Sequence, residues 1–356
     1  MKTKIQDMTS GSPGRLIILF AIPLMLGNIC QQLYTMVDTM VVGQVAGVEA
    51  LAALGAVDFL MWVVTGISTG LTQGFSIQLS QYYGAKDFEN LRKSLAHSYR
   101  LTAFIAAGVL ILSQSFASLV LTGLHTPSNI IGMSLLYLRI IFCGIPATAA
   151  YNMFASALRA MGNSKTPLTA MIIASVLNVS LDILFVAGFG WGVAGAAIAT
   201  VIAQSFSAVY CFLILRRIDI VHLTRADFMP ASGMNARLMK LGIPVVFQNI
   251  IIGVGGLVVQ YVINGYGFLF VAGFTATNKL YGLLEMAAIS YGYAIVTYVG
   301  QNLGAGKIDR IRKGVRSSML LSLLTSLIIS AAMFLFGKNI LSLFISGEPQ
   351  QTQQVL

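Results

Sequence analysis

The chain has 356 residues, of which 56% are hydrophobic and only 10% charged, and it carries a formal net charge of +10. Soluble proteins carry roughly 25% charged residues, so this chain has too little charge to cover a water-exposed surface and is too apolar to be disordered. Three cysteines scattered through apolar runs exclude a disulfide scaffold, which leaves an all-α polytopic membrane protein.

A bilayer-spanning helix needs ~20 mostly apolar residues. Nine such runs follow one another, at 15–42, 50–76, 94–122, 130–158, 166–187, 192–215, 238–263, 268–301 and 315–337. Barrel strands of ~10 residues alternate in polarity, and these runs do not. The first run follows a polar leader, is too long for a cleavable signal peptide, and holds Asp38. Pro23 within it, Pro146 in the fourth run and Pro244 in the seventh each remove a backbone donor and invite a kink. Pro167, after Asn163-Ser-Lys-Thr166, suits the first turn of the fifth span.

An ionisable side chain near the bilayer centre costs ~2.5–3.5 kcal/mol on insertion scales, so such residues are functional candidates. Asp38 lies in span one, Asp58 near the start of span two and Asp182 in span five. All three are expected in the outer half of the membrane, where they can share one cavity. Tyr34 precedes Asp38 by four residues, and Asn178 precedes Asp182 by four, so each pair shares a helix face. A carboxylate beside amide and phenol oxygens can take a proton or a hard cation such as Na⁺. Arg139 in span four, and Lys279 and Glu285 in span eight, are further intramembrane charges. For Arg139, snorkelling or an interhelical contact competes with substrate binding. The six-residue spacing of Lys279 and Glu285 puts them on different faces. Gly66, Gly70 and Gly74 form a small-residue stripe in span two that allows close packing.

The remaining Lys and Arg fall almost entirely in alternate loops, from Lys2 and Arg15 through Arg92, Arg159, Lys165 and Arg217 to Arg312. That asymmetry places the N-terminus in the cytoplasm. Spread over every alternate loop, the charge excludes a nucleic-acid patch. The sequence Gly304-Ala-Gly306-Lys307 fails the phosphate-loop pattern and reads as a polar turn, so ATP is not expected as a partner. His97, His125 and His222 are expected in separate loops without paired ligand spacing, and no cofactor is expected.

The sequence also repeats itself. Gln81-Tyr-Tyr-Gly84-Ala85 with Arg92-Lys93 matches Gln301-Asn-Leu-Gly304-Ala305 with Arg312-Lys313, 220 residues later. Ile22-Pro23 and Asn28 match Ile243-Pro244 and Asn249. Such repeats are common in secondary transporters. Six spans separate the copies, so both halves have the same orientation, related by an axis along the membrane normal. Residues 1–220 form a first lobe of six helices, 221–237 a cytoplasmic linker, and 238–356 an incomplete second lobe of three. The chain is expected to be a fragment that stops where a fourth helix of the second lobe begins.

These residues together resemble the multidrug and toxic compound extrusion (MATE) transporters. The resemblance rests on Ile22-Pro23, Tyr34-Thr-Met-Val-Asp38 with Gly43, Gln81-Tyr-Tyr-Gly84-Ala85 and Ala157-Leu-Arg159-Ala-Met-Gly162-Asn-Ser-Lys-Thr166-Pro167. It continues through Asn178-Val-Ser-Leu-Asp182 and Gly192-Val-Ala-Gly195-Ala-Ala-Ile-Ala-Thr200 and spans the whole chain. It implies a two-lobe helical bundle with a parallel internal repeat, with about nine of twelve transmembrane helices present. It further implies a multi-pass protein of a prokaryotic plasma membrane, which exchanges Na⁺ or H⁺ for small organic cations. Carried over residue by residue, the family's first-lobe cation site matches Asp38 and Asp182, with Tyr34, Asn178 and Thr200 as neutral partners. Tyr137 and Asn152 are implied in the same cavity, and Pro23 as a hinge. Span seven offers Gln248 and Asn249 but no carboxylate, so no second-lobe cation site is expected. A flippase for lipid-linked sugars shares the fold class but tends toward a more basic cavity. A membrane-embedded enzyme would need paired catalytic groups, and none is visible.

Overall fold

Apolar length and local capping account for where the helices begin and end. The computed structural model describes residues 5–341 except 125 and 265–267; for 48, 59, 257, 260, 261, 263–264, 268–281, 283, 284 and 336–341 it describes the backbone alone. The long helices are α1 (Pro13–Val45), α3 (Asp58–Gly84), α4 (Phe88–Gly123), α7 (Lys165–Asp182), α8 (Gly192–Leu215), α9 (Met234–Asn264), α10 (Phe268–Gly304) and α11 (Ile308–Leu341). Three shorter ones are α2 (Val48–Gly55), α5 (Ile131–Cys143) and α6 (Ile145–Ala160). Pro13 opens α1 at a position where a missing N–H costs nothing. Asp87 caps α4 by accepting from the Asn90 N–H at 3.1 Å. Asn163 Oδ1 accepts from the Thr166 N–H at 3.0 Å, which holds the entry to α7 ahead of Pro167.

Seven helices among the described residues are long and apolar enough to cross a membrane, or eight with the bent pair α5–α6. The fourth expected span is therefore broken. It bends by 46° at Gly144, just before Pro146, because Pro146 is favoured in a first turn and starts a new helix there. The eighth expected span coincides with α10, much of whose side-chain structure lies outside the described residues. Pro23 and Pro244, expected to kink their helices, sit inside α1 and α9, which continue through them. His97 corrects another expectation. It is buried in α4, not in a loop, and its ring nitrogens lie 2.7 Å from Asn235 Oδ1 and 3.0 Å from the Met229 carbonyl. His125 lies outside the described residues.

The small-residue stripe of α3 packs against α9. A β-carbon at Gly70 would lie 2.9 Å from the Val246 nitrogen, and one at Gly74 would lie 2.6 Å from the Leu241 carbonyl oxygen. Both are closer than side chains tolerate, so the backbones touch because glycine is there. The repeated motif makes a second crossing, and a reciprocal one. A β-carbon at Gly84 would collide with the Gln301 carbonyl oxygen, and one at Gly304 with the Gln81 carbonyl oxygen. The two copies of the motif thus meet each other at the end of the bundle that carries the basic loops.

Each copy then turns through a left-handed residue at the same place. Lys86 has φ 58° and its counterpart Gly306 has φ 69°. An L side chain in that conformation costs ~1–2 kcal/mol. Lys86→Gly is expected to raise the thermal unfolding midpoint in detergent, with a gain of about 1 kcal/mol. A fall in the midpoint would show that the lysine side chain contributes more than the backbone strain costs.

Residues 6–11 form a strap across the same end. The Gln6 N–H donates to the Gly162 carbonyl at 3.1 Å. The Met8 N–H donates to Gln301 Oε1 at 3.0 Å, and Gln301 Nε2 donates to the Ala160 carbonyl at 2.8 Å. Asn302 Nδ2 donates to the Met8 carbonyl at 2.9 Å, and Arg310 donates to the Gly11 carbonyl at 2.9 Å. Partial burial alone would raise the Asp7 carboxyl, but hydrogen bonds from Thr9 and Ser10 and the Lys307 charge hold it below the usual range. The strap therefore ties α6 to α10 and α11, and buries Met8 completely.

Between α8 and α9 the chain runs through two short 3₁₀ turns, Asp219–Val221 and Arg225–Phe228. Thr224 and Asp227 form a capping box, and Arg92 of α4 lies 3.7 Å from Asp227. Arg100 donates to the Phe228 carbonyl at 3.0 Å. This connection is thus docked on α4.

Candidate functional site

Polar residues at helical spacing inside apolar runs converge on one cavity of about 450 Å³. On α1 they are Asn28, Gln31, Thr35 and Asp38, which recur every three or four residues and so share a face. On α3 the wall is Asp58, Thr65 and Thr69, and on α5 it is Tyr137. On α6 it is Thr148, Asn152 and Arg159, and on α8 Thr200 and Gln204. Tyr293 of α10 closes the wall near the basic end, where Arg159 stacks over its ring at 4.7 Å. Asn28 Nδ2 donates to Ser290 Oγ at 3.2 Å and bridges α1 to α10 at that level. At the opposite end the wall finishes at Asp58 and Trp62, both exposed.

Behind the α1 wall lies a cluster of buried acceptors. Asp38 is 6% exposed, and Asn178 and Asp182 are 0% exposed. Asn178 Nδ2 donates to Thr200 Oγ1 at 3.4 Å, and Gln204 Nε2 donates to the Tyr34 hydroxyl at 3.4 Å. These amides spend their donors on neutral hydroxyls. That leaves Asp38 Oδ1, both Asp182 oxygens, Asn178 Oδ1 and Gln204 Oε1 buried without a hydrogen-bond partner among the described residues. Buried acceptors without donors are costly, and carboxylates most of all. A proton or a cation relieves that cost, so the cluster has the chemistry of a cation site. It opens to the cavity through Asp38 and Thr200, which line both. Asp182 and Asn178 do not line the cavity itself.

The helix after Asp182 is irregular. Residues Ile183–Gly188 form a π-helical segment. Such segments insert a surplus residue and often sit at functional sites. Among the described residues no group of three or more His, Cys, Asp or Glu could hold a metal ion.

Comparison with known proteins places this architecture. The MatE family model matches residues 23–184 and again 244–352. The chain belongs to the MatE family. The two matches fall on the two copies of the internal repeat. A Bacillus subtilis strain 168 relative, described as "Probable multidrug resistance protein YpnP", is 31% identical over 96% of this chain and 77% of its own length. "Multidrug export protein MepA" of a Staphylococcus saprophyticus strain is 21% identical over 91% of this chain and 72% of its own. The fold is similar to a solved outward-facing multidrug resistance MATE transporter, with a TM-score of 0.91 at 22% identity, covering 99% of this chain and 79% of that one. This MatE protein is a multi-pass membrane transporter, not an enzyme.

In this MatE chain Tyr34, Asp38, Tyr137, Asn152 and Thr200 line the cavity, and Asn152 donates to Thr69 Oγ1 at 3.2 Å. Asp58 is exposed at the cavity rim and lines the same cavity as Asp38. Arg139 and Glu285 do not line the cavity. Both are exposed. The Lys279 side chain lies outside the described residues. Pro23 is buried in an unbroken helix. Sequence reasoning missed Gln31, Gln204 and Thr69, although Gln204 follows Thr200 by one turn and Thr69 follows Thr65 by one turn. It also assigned Arg159 to a loop, whereas α6 carries it into the cavity.

Proposed function

We propose that this protein is a cation-coupled antiporter that exports organic cations by alternating access, driven by Na⁺ or H⁺. The observation that carries the reading is the cluster of partnerless buried acceptors around Asp38 and Asp182, opening into a cavity. A cation entering that cluster neutralises the carboxylates. When it leaves, the recovered negative charge attracts a cationic substrate to the Asp38 wall. The two events compete for one charge, which is the requirement for exchange. Aromatic side chains at Tyr34, Tyr137, Tyr151 and Tyr293 offer faces to a cationic ring system.

The reading includes a prokaryotic plasma membrane, a cytoplasmic N-terminus and lobes at 1–220 and 238–356 joined by 221–237. With the basic end in the cytoplasm, the strap and the Gly84–Gly304 crossing close the inner side, and Asp58 and Trp62 stand at the outer mouth. The names of the curated relatives, which include multidrug resistance and export proteins, support drug-like substrates.

The test uses inverted membrane vesicles containing the protein. A pH gradient or a Na⁺ gradient is imposed in turn, and ethidium uptake is followed by fluorescence. Uptake under one gradient and its collapse on dissipating that gradient is the expected result. Uptake that needs neither gradient, or no movement of any cationic dye by folded protein, rejects the reading.

A further inference from the structure

Away from the transport cavity, two cavities run together on the lipid-facing side of α4, α6 and α8. The first, about 350 Å³, lies under the connection that follows α8 and is lined by Arg216, His222, Tyr99, Phe212 and Phe228 among others. The second, about 370 Å³, is apolar and lies between α4 and α6. Tyr99 and Phe212 line both, so the two are continuous.

The groove has a sequence cause. Along α4 its lining residues are Tyr99, Thr102, Ala103, Ala106, Ala107 and Leu110, which is one helix face with three alanines at its middle. Across from it α6 presents Pro146, Ala149 and Ala150. Small side chains on both helices leave a channel between them. From Tyr99 to Leu110 the channel runs for about 16 Å at 1.5 Å per residue. That is about half of a ~30 Å hydrocarbon core, the depth of one leaflet.

The ends differ in chemistry. At the basic end Arg216 and His222 are exposed, and none of the lining residues of the first cavity is acidic. The Arg216 guanidinium lies 5.6 Å over the Phe212 ring, which steadies it at the mouth. Phe154 packs against Phe212 and Tyr99 with ring centroids 5.2 and 5.3 Å away, forming an aromatic collar between head and channel. Aromatic residues favour that depth of a bilayer.

We propose that this groove is a binding site for one anionic phospholipid, with its phosphate against Arg216 and His222 and an acyl chain between α4 and α6. A cationic substrate would meet Arg216 at the entrance, and a free phosphate would leave the apolar channel unfilled. A phospholipid satisfies both halves, and the surrounding bilayer supplies it at high concentration. The site is independent of the coupling reading above.

The test is native mass spectrometry of the delipidated full chain with added phosphatidylglycerol, phosphatidylcholine or glycerol 3-phosphate. One phosphatidylglycerol is expected to be retained at several-fold higher occupancy than phosphatidylcholine, with no retention of glycerol 3-phosphate. Arg216→Gln combined with His222→Gln is expected to lower phosphatidylglycerol to the phosphatidylcholine level, while Arg216→Lys keeps it. Ala103→Phe with Ala107→Phe, at two exposed positions, fills the channel and is expected to lower retention at least tenfold. Should the double charge variant not fold, the alanine variant decides alone. Equal retention of the two lipids, retention unaffected by filling the channel, or glycerol 3-phosphate held as well as the lipid each overturns the proposal.

Discussion

Asp38→Asn is expected to reduce gradient-driven efflux to the level of vesicles without the protein. The substitution keeps the size of the side chain and adds a donor where the structure has an excess of acceptors, so the fold should persist. What it removes is the titratable and cation-binding charge. Coupling free energies of ~1–3 kcal/mol correspond to ~5–150-fold effects, and abolishing the charge abolishes the whole coupling at that residue. Asp182→Asn is expected to act in the same direction, because its two oxygens are also buried without a partner. The double variant should be little worse than either, since the two carboxylates belong to one cluster. Dye efflux at the wild-type rate in Asp38→Asn vesicles, with equal protein in the membrane, would remove Asp38 from the coupling step. Retained dye binding with lost efflux would place the defect in coupling, not in the substrate wall.

Gly84→Ala should act at the other end of the cycle. A methyl group there collides with the Gln301 carbonyl, which is backbone and has no rotamer to yield. Overpacking costs ~1–3 kcal/mol, and every ~1.4 kcal/mol is a tenfold change in an equilibrium. The α3–α10 crossing is where the repeats meet, so the cost falls on the arrangement closed at the basic end. Gly304→Ala meets the Gln81 carbonyl and is expected to give the same result. The readout is the reactivity of a cysteine placed at Gln31, with the three native cysteines replaced by serine. A membrane-impermeant maleimide applied from the basic side should label it slowly in the parent and at least tenfold faster with Gly84→Ala. Equal labelling, with efflux intact, would show that this crossing does not bear on access.

Much of this was readable because apolar length and intramembrane charge are strong signals. Asp38, Asp182 and Asn178 stood out because a carboxylate or amide inside an apolar run has few structural reasons to be there, and the structure buries all three together. The repeat was visible because Gly84 and Gly304 sit in matching motifs that share Gln, Gly and Ala at the same positions. That each glycine packs on the glutamine carbonyl of the other copy was not visible, since a motif reports its own backbone and not its partner's position. Arg159 was misplaced because counting Lys and Arg by loop assumes that helices end where hydropathy falls. Here α6 keeps its helical face to Ala160, and Tyr293 supplies a ring for the guanidinium. The break at Gly144 was signalled by Pro146, which invites a kink there, but its full 46° was hidden because two short helices add up to one apolar run. The hydrogen bonds that fasten the strap to α6 and α10 had no local pattern, since the Gln6 and Met8 backbone N–H groups find partners more than 150 residues away.

That distance has a consequence for how the molecule is made. The Met8 carbonyl accepts from Asn302, 294 residues further along the chain. At translation rates of roughly 5–20 residues per second, the interval between the synthesis of the two partners is about 15–60 s. Through that interval Met8 lacks its α10 partners and Gln6 has only Leu16 and Gly162, so the strap stays unfastened from α10 and α11. Only when the end of α10 leaves the ribosome can Gln301 and Asn302 reach the strap. A lock that forms late in biogenesis is thus made by residues synthesised long before it.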